Sequence, residues 1–265
     1  MGEGESGNKR IAKNTLLLYG RMFVTLIIGL YTSREILNIL GASDYGLYNI
    51  VGGVVSMMGF LTASLTGATS RFITIAIAQG DNNEQKKVFG CLFFIHIILA
   101  VVILFLGETI GLWFINGHLN IPLGRDSAAF WVFQCSLCSA ILGILTIPYN
   151  SVIIANEKLD IFAFFSIIET LLKLVIVLCL PLISSDKLVA YALLFLLITI
   201  ISRGQFIGYT IHRYGSISMT KPIIDRNLIK RVGFFSMWTM FGHISIMAAT
   251  QGVNILLNIF FGTIV

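Results

Sequence analysis

Seven of the charged side chains that lie inside long apolar stretches of the 265-residue sequence have types and spacing that bear most directly on chemistry. They are Arg21, Arg34, Glu35, Arg71, Glu169, Lys173 and Arg203. A charge at the centre of a membrane span costs about 2.5–3.5 kcal/mol on insertion scales, so each of them needs a partner, a hydrated cavity or a function. Five of the seven are cationic, and this excess favours an anionic ligand over a cationic one.

The first apolar stretch carries a polar stripe. At about 100° per residue, Arg21, Thr25, Thr32 and Glu35 fall on one helix face, whereas Arg34 points elsewhere. Arg21 and Glu35 are about 21 Å apart along the axis, so they do not neutralise each other. Two interpretations stay open: the charges snorkel from both ends of a long tilted helix, or the stripe faces protein or water.

The second apolar stretch is rich in small and hydroxyl residues. Gly59, Ala63, Gly67 and Arg71 recur every four residues, a spacing that lets helix backbones approach closely. Close packing is therefore one interpretation of this face. The other is that the helix lines a hydrophilic path, with Arg71 available to hold an anion from the cytoplasmic side.

Glu169 and Lys173 lie near the middle of a later apolar stretch. They form an (i, i+4) pair with the acid first, the favourable order on a helix. Pairing lowers the insertion cost without abolishing it, so we expect the pair to face the bundle interior. Its role is either a structural ion pair or the movement of substrate or ions. Arg203 lies near a cytoplasmic helix end, where snorkelling competes with a binding function.

Signals for catalysis are weak. The histidines have no metal-ligand spacing, and the sequence shows no Gly-rich phosphate loop and no Ser/His/Asp order. Cys135 and Cys138 have the spacing of a metal or redox motif, but they lie mid-helix without a second pair nearby, which favours small apolar side chains. We therefore predict no enzyme and no cofactor. A membrane-embedded acyltransferase would need a catalytic histidine that no position persuasively offers.

Composition specifies the elements that must position these residues. The chain is 56% hydrophobic and 12% charged, whereas soluble domains carry about 25% charged residues. Runs that are apolar on every face exclude the alternating strands of a β-barrel, so the sequence predicts an all-α polytopic membrane protein. No cleavable signal peptide is visible. Helices are predicted at 14–40, 46–79, 88–115, 127–153, 160–183, 187–212 and 232–262.

The predicted helices divide the chain into four regions. A cytoplasmic segment (1–13) precedes a six-helix lobe (14–213), a basic cytoplasmic linker (214–231) and a seventh helix (232–265). With a cytoplasmic amino terminus, 11 basic residues fall on the cytoplasmic side and only Arg125 and Lys187 on the other, as the positive-inside rule favours. The net charge of +5 then reflects membrane topology and contact with anionic lipids rather than a nucleic-acid partner.

Three segments resemble a known family. Residues 40–50 (LGASDYGLYNI) look like the LGxxxYGLY signature of Wzx-like polysaccharide flippases, a branch of the multidrug/oligosaccharidyl-lipid/polysaccharide (MOP) exporter superfamily. Residues 70–73 (SRFI), followed by 79–81 (QGD), are similar to the end of that family's second helix. Residues 251–262 (QGVNILLNIFFG) are similar to its seventh helix. The rest of the chain has compatible hydropathy.

The resemblance implies a fold and an activity. The fold would be the N-terminal six-helix lobe of a MOP-type transporter plus the first helix of a second lobe. A loose repeat of residues 37–41 at 257–262 agrees with this. The second lobe would be a missing C-terminal half or a partner chain. The implied activity is flipping of undecaprenyl-pyrophosphate-linked oligosaccharides across a bacterial inner membrane, for O-antigen, capsule or exopolysaccharide synthesis.

Translocation would proceed by alternating access through a cationic cavity, with a polysaccharide polymerase or glycosyltransferases as further partners. We expect Arg21 and Arg71 to bind the pyrophosphate, and Arg34, Lys173 and Arg203 to be weaker candidates. Glu35 and Glu169 are the candidates for coupling to a proton or sodium gradient. Two alternatives remain: a cation-coupled multidrug exporter of the same superfamily, and a non-transporting membrane scaffold made of a truncated lobe.

Overall fold

The computed structural model describes the backbone of residues 2–261 and the side chains of residues 15–260, apart from Phe60, Met247, Thr250 and Gln251. Within residues 2–261 the chain is helical with short connections and contains no strand. The helices are α1 (Gly2–Met57), α2 (Gly59–Gln79), α3 (Asn82–Leu106), α4 (Leu112–His118), α5 (Asp126–Ala155), α6 (Leu159–Cys179), α7 (Lys187–Ser218), α8 (Arg226–Met247) and α9 (Val253–Phe261). The side chains of the predicted cytoplasmic residues Lys9, Arg10 and Lys13, and residues 262–265, lie outside this description.

Helix α1 consists of two arms that meet at Gly41. Its φ of +78° lies in the left-handed region, which favours glycine because it has no Cβ. The first arm packs on α6, where Ile36 shares a core with Val177. The second arm packs on α5, where Leu47 shares a core with Phe133. Gly41 therefore separates the segment that carries Arg21 from the segment that carries the LGxxxYGLY-like residues.

Aspartates start three of the helices. Asp81 accepts a hydrogen bond from the backbone N–H of Asn83 at the start of α3. Asp186 caps α7, and Asp225 caps α8 through the N–H groups of Asn227 and Leu228. Each carboxylate satisfies backbone donors that have no partner inside the helix. These short polar caps explain where the connections end.

Helix α5 lies at the centre of the bundle. A π-helical turn (Gly107–Gly111) joins α3 to α4 and presses against α5. A Cβ on Gly107 would lie 2.8 Å from the Leu137 side chain, and one on Gly111 would lie 2.8 Å from Phe133. Both contacts are shorter than van der Waals separation, so a larger residue at either position would have to displace the buried side chain of Leu137 or Phe133.

Among the described residues, six stretches are long and apolar enough to cross a membrane. They are Thr15–Met57, Leu61–Gln79, Asn82–His118, Asp126–Ala155, Leu159–Leu182 and Lys187–Ser218. Large apolar side chains also cover the outer surface: Leu16 is 75% exposed and Phe105 is 67% exposed. An apolar surface of this extent marks contact with lipid rather than water. The chain is a multi-pass, all-α membrane protein.

The helix bounds differ from the predicted ones in three regions. The predicted break at 41–45 lies inside α1, which runs from Gly2 to Met57, and the predicted helix 46–79 is divided at Met58. The predicted linker 214–231 is mostly helical, because α7 continues to Ser218 past a kink at Tyr214 and α8 begins at Arg226. The seventh predicted span, 232–262, corresponds to α8 and α9, which are not among the six stretches. The π-helical turn Ala248–Gly252 divides this span into two helices, and the first of them, α8, begins before the span with the basic residues Arg226, Lys230 and Arg231.

Ionic contacts tie the connections together at one end of the bundle, which we name the Arg125 end. The guanidinium of Arg125 pairs with Asp44 near the start of the second arm of α1 and with Asp186 at the start of α7. Its Nε donates to Asp44 Oδ1 at 2.9 Å. Arg125 itself lies in the α4–α5 connection. It therefore links this connection to α1 and to the start of α7.

The opposite end, which we name the Lys87 end, holds the connection from α7 to α8. Lys87 Nζ lies 2.7 Å from Asp225 Oδ2. The backbone N–H of Ile223 donates to the carbonyl of Gly90 at 3.2 Å. Leu228 and Val232 of α8 are buried in a core shared with α2 and α3. The start of α8 is thus fixed to the six-helix bundle.

We predict opposite effects of alanine at two helical glycines. A Cβ on Gly90 would lie 2.7 Å from the carbonyl oxygen of Lys221, so Gly90→Ala must displace the α7–α8 connection. Such overpacking costs about 1–3 kcal/mol of folding free energy. A Cβ added at Gly204 would meet no neighbouring atom within 4 Å. Gly204→Ala should therefore raise the free energy of unfolding by about 1 kcal/mol, because alanine has the higher helix propensity. Thermal unfolding in detergent checks both signs, and a Gly90→Ala variant as stable as Gly204→Ala contradicts the prediction.

The ion pair at the Lys87 end predicts a pH dependence. A hydrogen bond from Lys87, together with backbone N–H donors, lowers the pKa of Asp225 from its usual 3.8 to about 2. Because the folded-state pKa is depressed, this stabilisation is present above the unfolded pKa and is lost as the pH falls through about 2. Asp225→Asn keeps a good helix cap but loses the ion pair.

The unfolding temperature of Asp225→Asn should therefore lie below that of the parent protein at neutral pH, and the gap should close between about pH 4 and about pH 2. Lys87→Gln provides the matched control, since it removes the other partner of the same pair. Thermal unfolding of both variants across this pH range checks the prediction. A gap that persists at the acidic end excludes the ion pair as its cause.

Candidate functional site

A cluster of charged and hydroxyl side chains lies where α1, α6 and α7 meet. Glu169 Oε1 accepts a hydrogen bond from Lys173 Nζ at 2.7 Å. Arg203, from α7, brings a guanidinium nitrogen to 4.0 Å from the same oxygen. Arg21, from α1, donates to Ser166 Oγ at 3.3 Å. Three helices thus contribute to one cluster, which we name the α6 charge cluster.

The α6 charge cluster borders a small cavity of about 410 Å³ between α1 and α6. Arg21, Ser166, Glu169, Thr170 and Lys173 are among its lining residues. The Nε atoms of Arg21 and Arg203 are buried and have no hydrogen-bond acceptor among the described residues. Buried donors without acceptors cost free energy. Arg21 lines this cavity and Arg203 does not, so a ligand in the cavity would bring acceptor oxygens to the Arg21 guanidinium.

A larger cavity of about 1040 Å³ lies beside it, between the second arm of α1, α2, α5, α7 and α9. Its polar lining consists of aromatic, hydroxyl and amide groups: Tyr45, Tyr48, Asn49, Ser56, Thr62, Ser136, Ser139 and Asn254. Glycines at 46, 52, 53, 59 and 143 keep it open. Its described lining residues include no charged side chain, so the predicted cationic groups lie outside its wall.

One side chain links the two cavities. Phe195 lines the large cavity, and its ring centroid lies 4.9 Å from Lys173 Nζ, which lines the small one. An ammonium this close to an aromatic face is held by a cation–π interaction. The α6 charge cluster and the uncharged cavity are therefore neighbouring compartments of one region.

The comparisons with known proteins concern the fold. No family model matches the chain, and no curated protein matches it. Among solved structures, the chain is similar to one described as the inward-facing conformation of a multidrug resistance MATE family transporter of the MOP superfamily. The TM-score is 0.69, the identity is 16%, and the match covers 92% of this chain and 57% of that one. The chain therefore shares its helical fold with a little more than half of that transporter.

The all-α fold class predicted from the sequence is thereby confirmed, since the helical bundle matches a little more than half of the solved transporter. The likeness lies in the fold alone, since identity is only 16%.

Within this bundle, the predicted site residues separate into two groups. Arg21, Glu169, Lys173 and Arg203 come together in the α6 charge cluster. The other three are apart from it: Arg34 is exposed, Glu35 is half-buried, and Arg71 lies exposed on α2 with its guanidinium 4.9 Å from the Phe235 ring of α8. None of these three is among the lining residues of either cavity.

Sequence reasoning missed the lining of the large cavity, although a signal for it exists. Ser136, Ser139, Ala140, Gly143 and Ile147 recur at helical spacing on one face of α5, and all five line the cavity. A stripe of small residues has close packing as its default interpretation. Whether such a stripe lines a cavity or a packed interface depends on the helix face opposite it. Here the facing parts of α1 and α2 are also rich in glycine. Which faces meet is decided by the tertiary structure.

The side chains of the two compartments are suited to binding a ligand. No group of three or more His, Cys, Asp or Glu side chains able to hold a metal ion occurs among the described residues. The cationic cluster suits an anionic group, and the neighbouring uncharged cavity suits a larger moiety rich in hydroxyl or aromatic groups. Together they fit an amphiphile that carries a charged head.

Proposed function

We propose that this chain belongs to a transporter that flips undecaprenyl-pyrophosphate-linked oligosaccharides across a bacterial inner membrane, supplying O-antigen, capsule or exopolysaccharide synthesis. One observation carries the proposal: the cationic α6 charge cluster lies next to the uncharged cavity, and Phe195 contacts both. The pyrophosphate occupies the first compartment, and sugar hydroxyls contact the tyrosine, amide and hydroxyl groups of the second.

Charge and hydrogen bonding support this assignment. Arg21 and Arg203 each have a buried guanidinium nitrogen without an acceptor, and arginine binds phosphate oxygens in bidentate fashion. Tyr45 and Tyr48 line the large cavity. Aromatic faces offer an apolar surface with a polar edge, which suits the alternating character of a sugar ring. Arg71 and Arg34 remain predicted contacts for a pyrophosphate that moves between positions during transport.

The proposed topology places the amino terminus and the Lys87 end in the cytoplasm. Lys87, Lys158 and Arg213 then lie on the cytoplasmic side, as the positive-inside rule favours. The α4–α5 connection with Arg125 then faces the periplasm. Alternating access requires a second lobe, and the match to 57% of a MATE transporter is consistent with that need.

A cation-coupled multidrug exporter is the second candidate. It is favoured by the fold match to a multidrug resistance MATE transporter and by the uncharged lining of the large cavity, which suits an apolar drug. The fold is compatible with both activities. The excess of cations in the α6 charge cluster disfavours a cationic drug in that compartment.

Transport in vesicles separates these candidates. The intact protein is reconstituted into vesicles that contain a fluorescent lipid-linked oligosaccharide, and the fraction of sugar reaching the opposite leaflet is measured by enzymatic trimming from outside. A parallel sample is loaded with a cationic dye. Sugar translocation without dye efflux supports the flippase. Dye efflux alone supports the exporter, and activity in neither assay supports a non-transporting scaffold.

A further inference from the structure

We propose that Glu169 is an internal substitute for the anionic ligand: its single negative charge partly compensates Lys173 and Arg203 while the site is empty, and a diphosphate group displaces it on binding. This inference rests on the proposed function, because it names the device by which the same site tolerates the absence of substrate. It assigns Glu169 the role of a counter-ion, whereas the sequence alone left ion coupling open.

The geometry of one oxygen atom carries the inference. Oε1 of Glu169 receives the Lys173 ammonium at 2.7 Å and faces the Arg203 guanidinium at 4.0 Å. The Glu169 side chain is 15% exposed, and those of Lys173 and Arg203 are 32% and 26% exposed. One carboxylate thus serves two cations, and the longer of its two contacts is not a full ion pair. A ligand with more oxygen atoms satisfies both cations better.

Arg21 extends the same argument to a third cation. Its donor contact goes to a neutral hydroxyl, that of Ser166, at 3.3 Å, and its Nε has no acceptor among the described residues. The guanidinium also lies 5.0 Å from the Phe162 ring. The described members of the α6 charge cluster therefore comprise three cations and one carboxylate. Two positive charges stay uncompensated in a half-buried site, which a diphosphate would neutralise.

The adjacent cavity gives the ligand room. Glu169, Lys173 and Arg21 all line the 410 Å³ space, so an entering anion reaches these three groups from one side. A diphosphate carries several acceptor oxygens, whereas a single carboxylate has two. When the anion enters, Lys173 releases Glu169 and donates to the ligand instead. Release of the anion restores it, so the cluster has a paired state both with and without ligand.

Binding of inorganic pyrophosphate to the purified intact protein tests the inference. Isothermal titration calorimetry in detergent compares the parent protein with Glu169→Gln, which removes the competing charge while keeping the shape of the side chain. We expect the Kd of Glu169→Gln to fall by about fivefold, the upper range for release of a partly exposed ion pair. Arg203→Gln should weaken binding instead.

Asp160→Asn is the matched control. Asp160 lies on the same helix, nine residues before Glu169, and is exposed. Its neutralisation changes the net charge equally without freeing Lys173 or Arg203. An equal gain in both variants, or no gain in Glu169→Gln, overturns the inference. If Glu169→Gln does not fold, Glu169→Asp carries the test, because its shorter side chain weakens the contact with Lys173, and an unchanged Kd then overturns it.

Two ligand arms identify the source of the anion. Inorganic pyrophosphate is compared with a polyprenyl diphosphate in mixed micelles, with the polyprenyl alcohol as blank. Tighter binding of both by Glu169→Gln supports a site for the diphosphate group itself, and tighter binding of the lipid alone supports a headgroup site. No gain in either arm overturns the inference. The assay involves no sugar and no transport, so its result is independent of the vesicle experiment.

Discussion

Arg21→Gln is expected to lower translocation of lipid-linked oligosaccharide by about 10- to 100-fold, the range for loss of one or two charge-assisted hydrogen bonds. Arg21 stands on α1 with its guanidinium beside the small cavity, and its Nε has no acceptor in the described structure. Removal of the charge therefore leaves the pyrophosphate with fewer donors while no internal ion pair of Arg21 is broken. Initial rates of sugar movement in vesicles at equal protein content measure the effect.

Two further variants make this result specific. Arg21→Lys keeps the charge but loses the planar pair of donors, so we expect an intermediate rate. Arg213→Gln is the matched control, because Arg213 is exposed at the far end of α7 and lines neither cavity. A parent-like rate for Arg21→Gln, at a parent-like unfolding temperature, would show that the pyrophosphate binds elsewhere. An equal loss in Arg213→Gln would point to general electrostatics.

The helical architecture was predictable from sequence because it depends on a local property. A run such as residues 88–115 is apolar on every face, and no tertiary information is needed to expect a membrane-spanning helix there. The ends were less predictable. The segment 214–231 is basic and indicates a linker, yet most of it is helical, since Asp225 caps α8 and Leu228 and Val232 bury against α2 and α3.

The candidate site was predictable in part. Charge inside an apolar helix identifies Arg21, Glu169, Lys173 and Arg203 from the sequence alone, because the insertion cost applies to each residue separately. Their convergence was not predictable, because α1, α6 and α7 are brought together only by packing. The same limit hid the large cavity. Its lining is uncharged, and small residues at helical spacing look alike whether the opposite face fills the gap or leaves it open.

Asn120→Ala is expected to increase access to the large cavity from the Arg125 end. Asn120 Nδ2 donates to the carbonyls of Asn258 and Ile259 at 3.1 and 3.0 Å, which ties the α4–α5 connection to α9. Asn254, one turn earlier on α9, lines the cavity. Loss of two hydrogen bonds, each worth about 0.5–1.5 kcal/mol, raises the population of an open form by about 5- to 150-fold.

Cys135 reports on this opening, because it lines the large cavity and is buried. In a background with serine at the other three cysteines, the rate at which a membrane-impermeant thiol reagent modifies Cys135 should rise about 5- to 150-fold in Asn120→Ala, in proportion to the open population. Asn116→Ala is the matched control, since Asn116 is an exposed asparagine in the same region, at the end of α4. Equal rates in both variants would place the barrier to the cavity elsewhere than at the contact between Asn120 and α9.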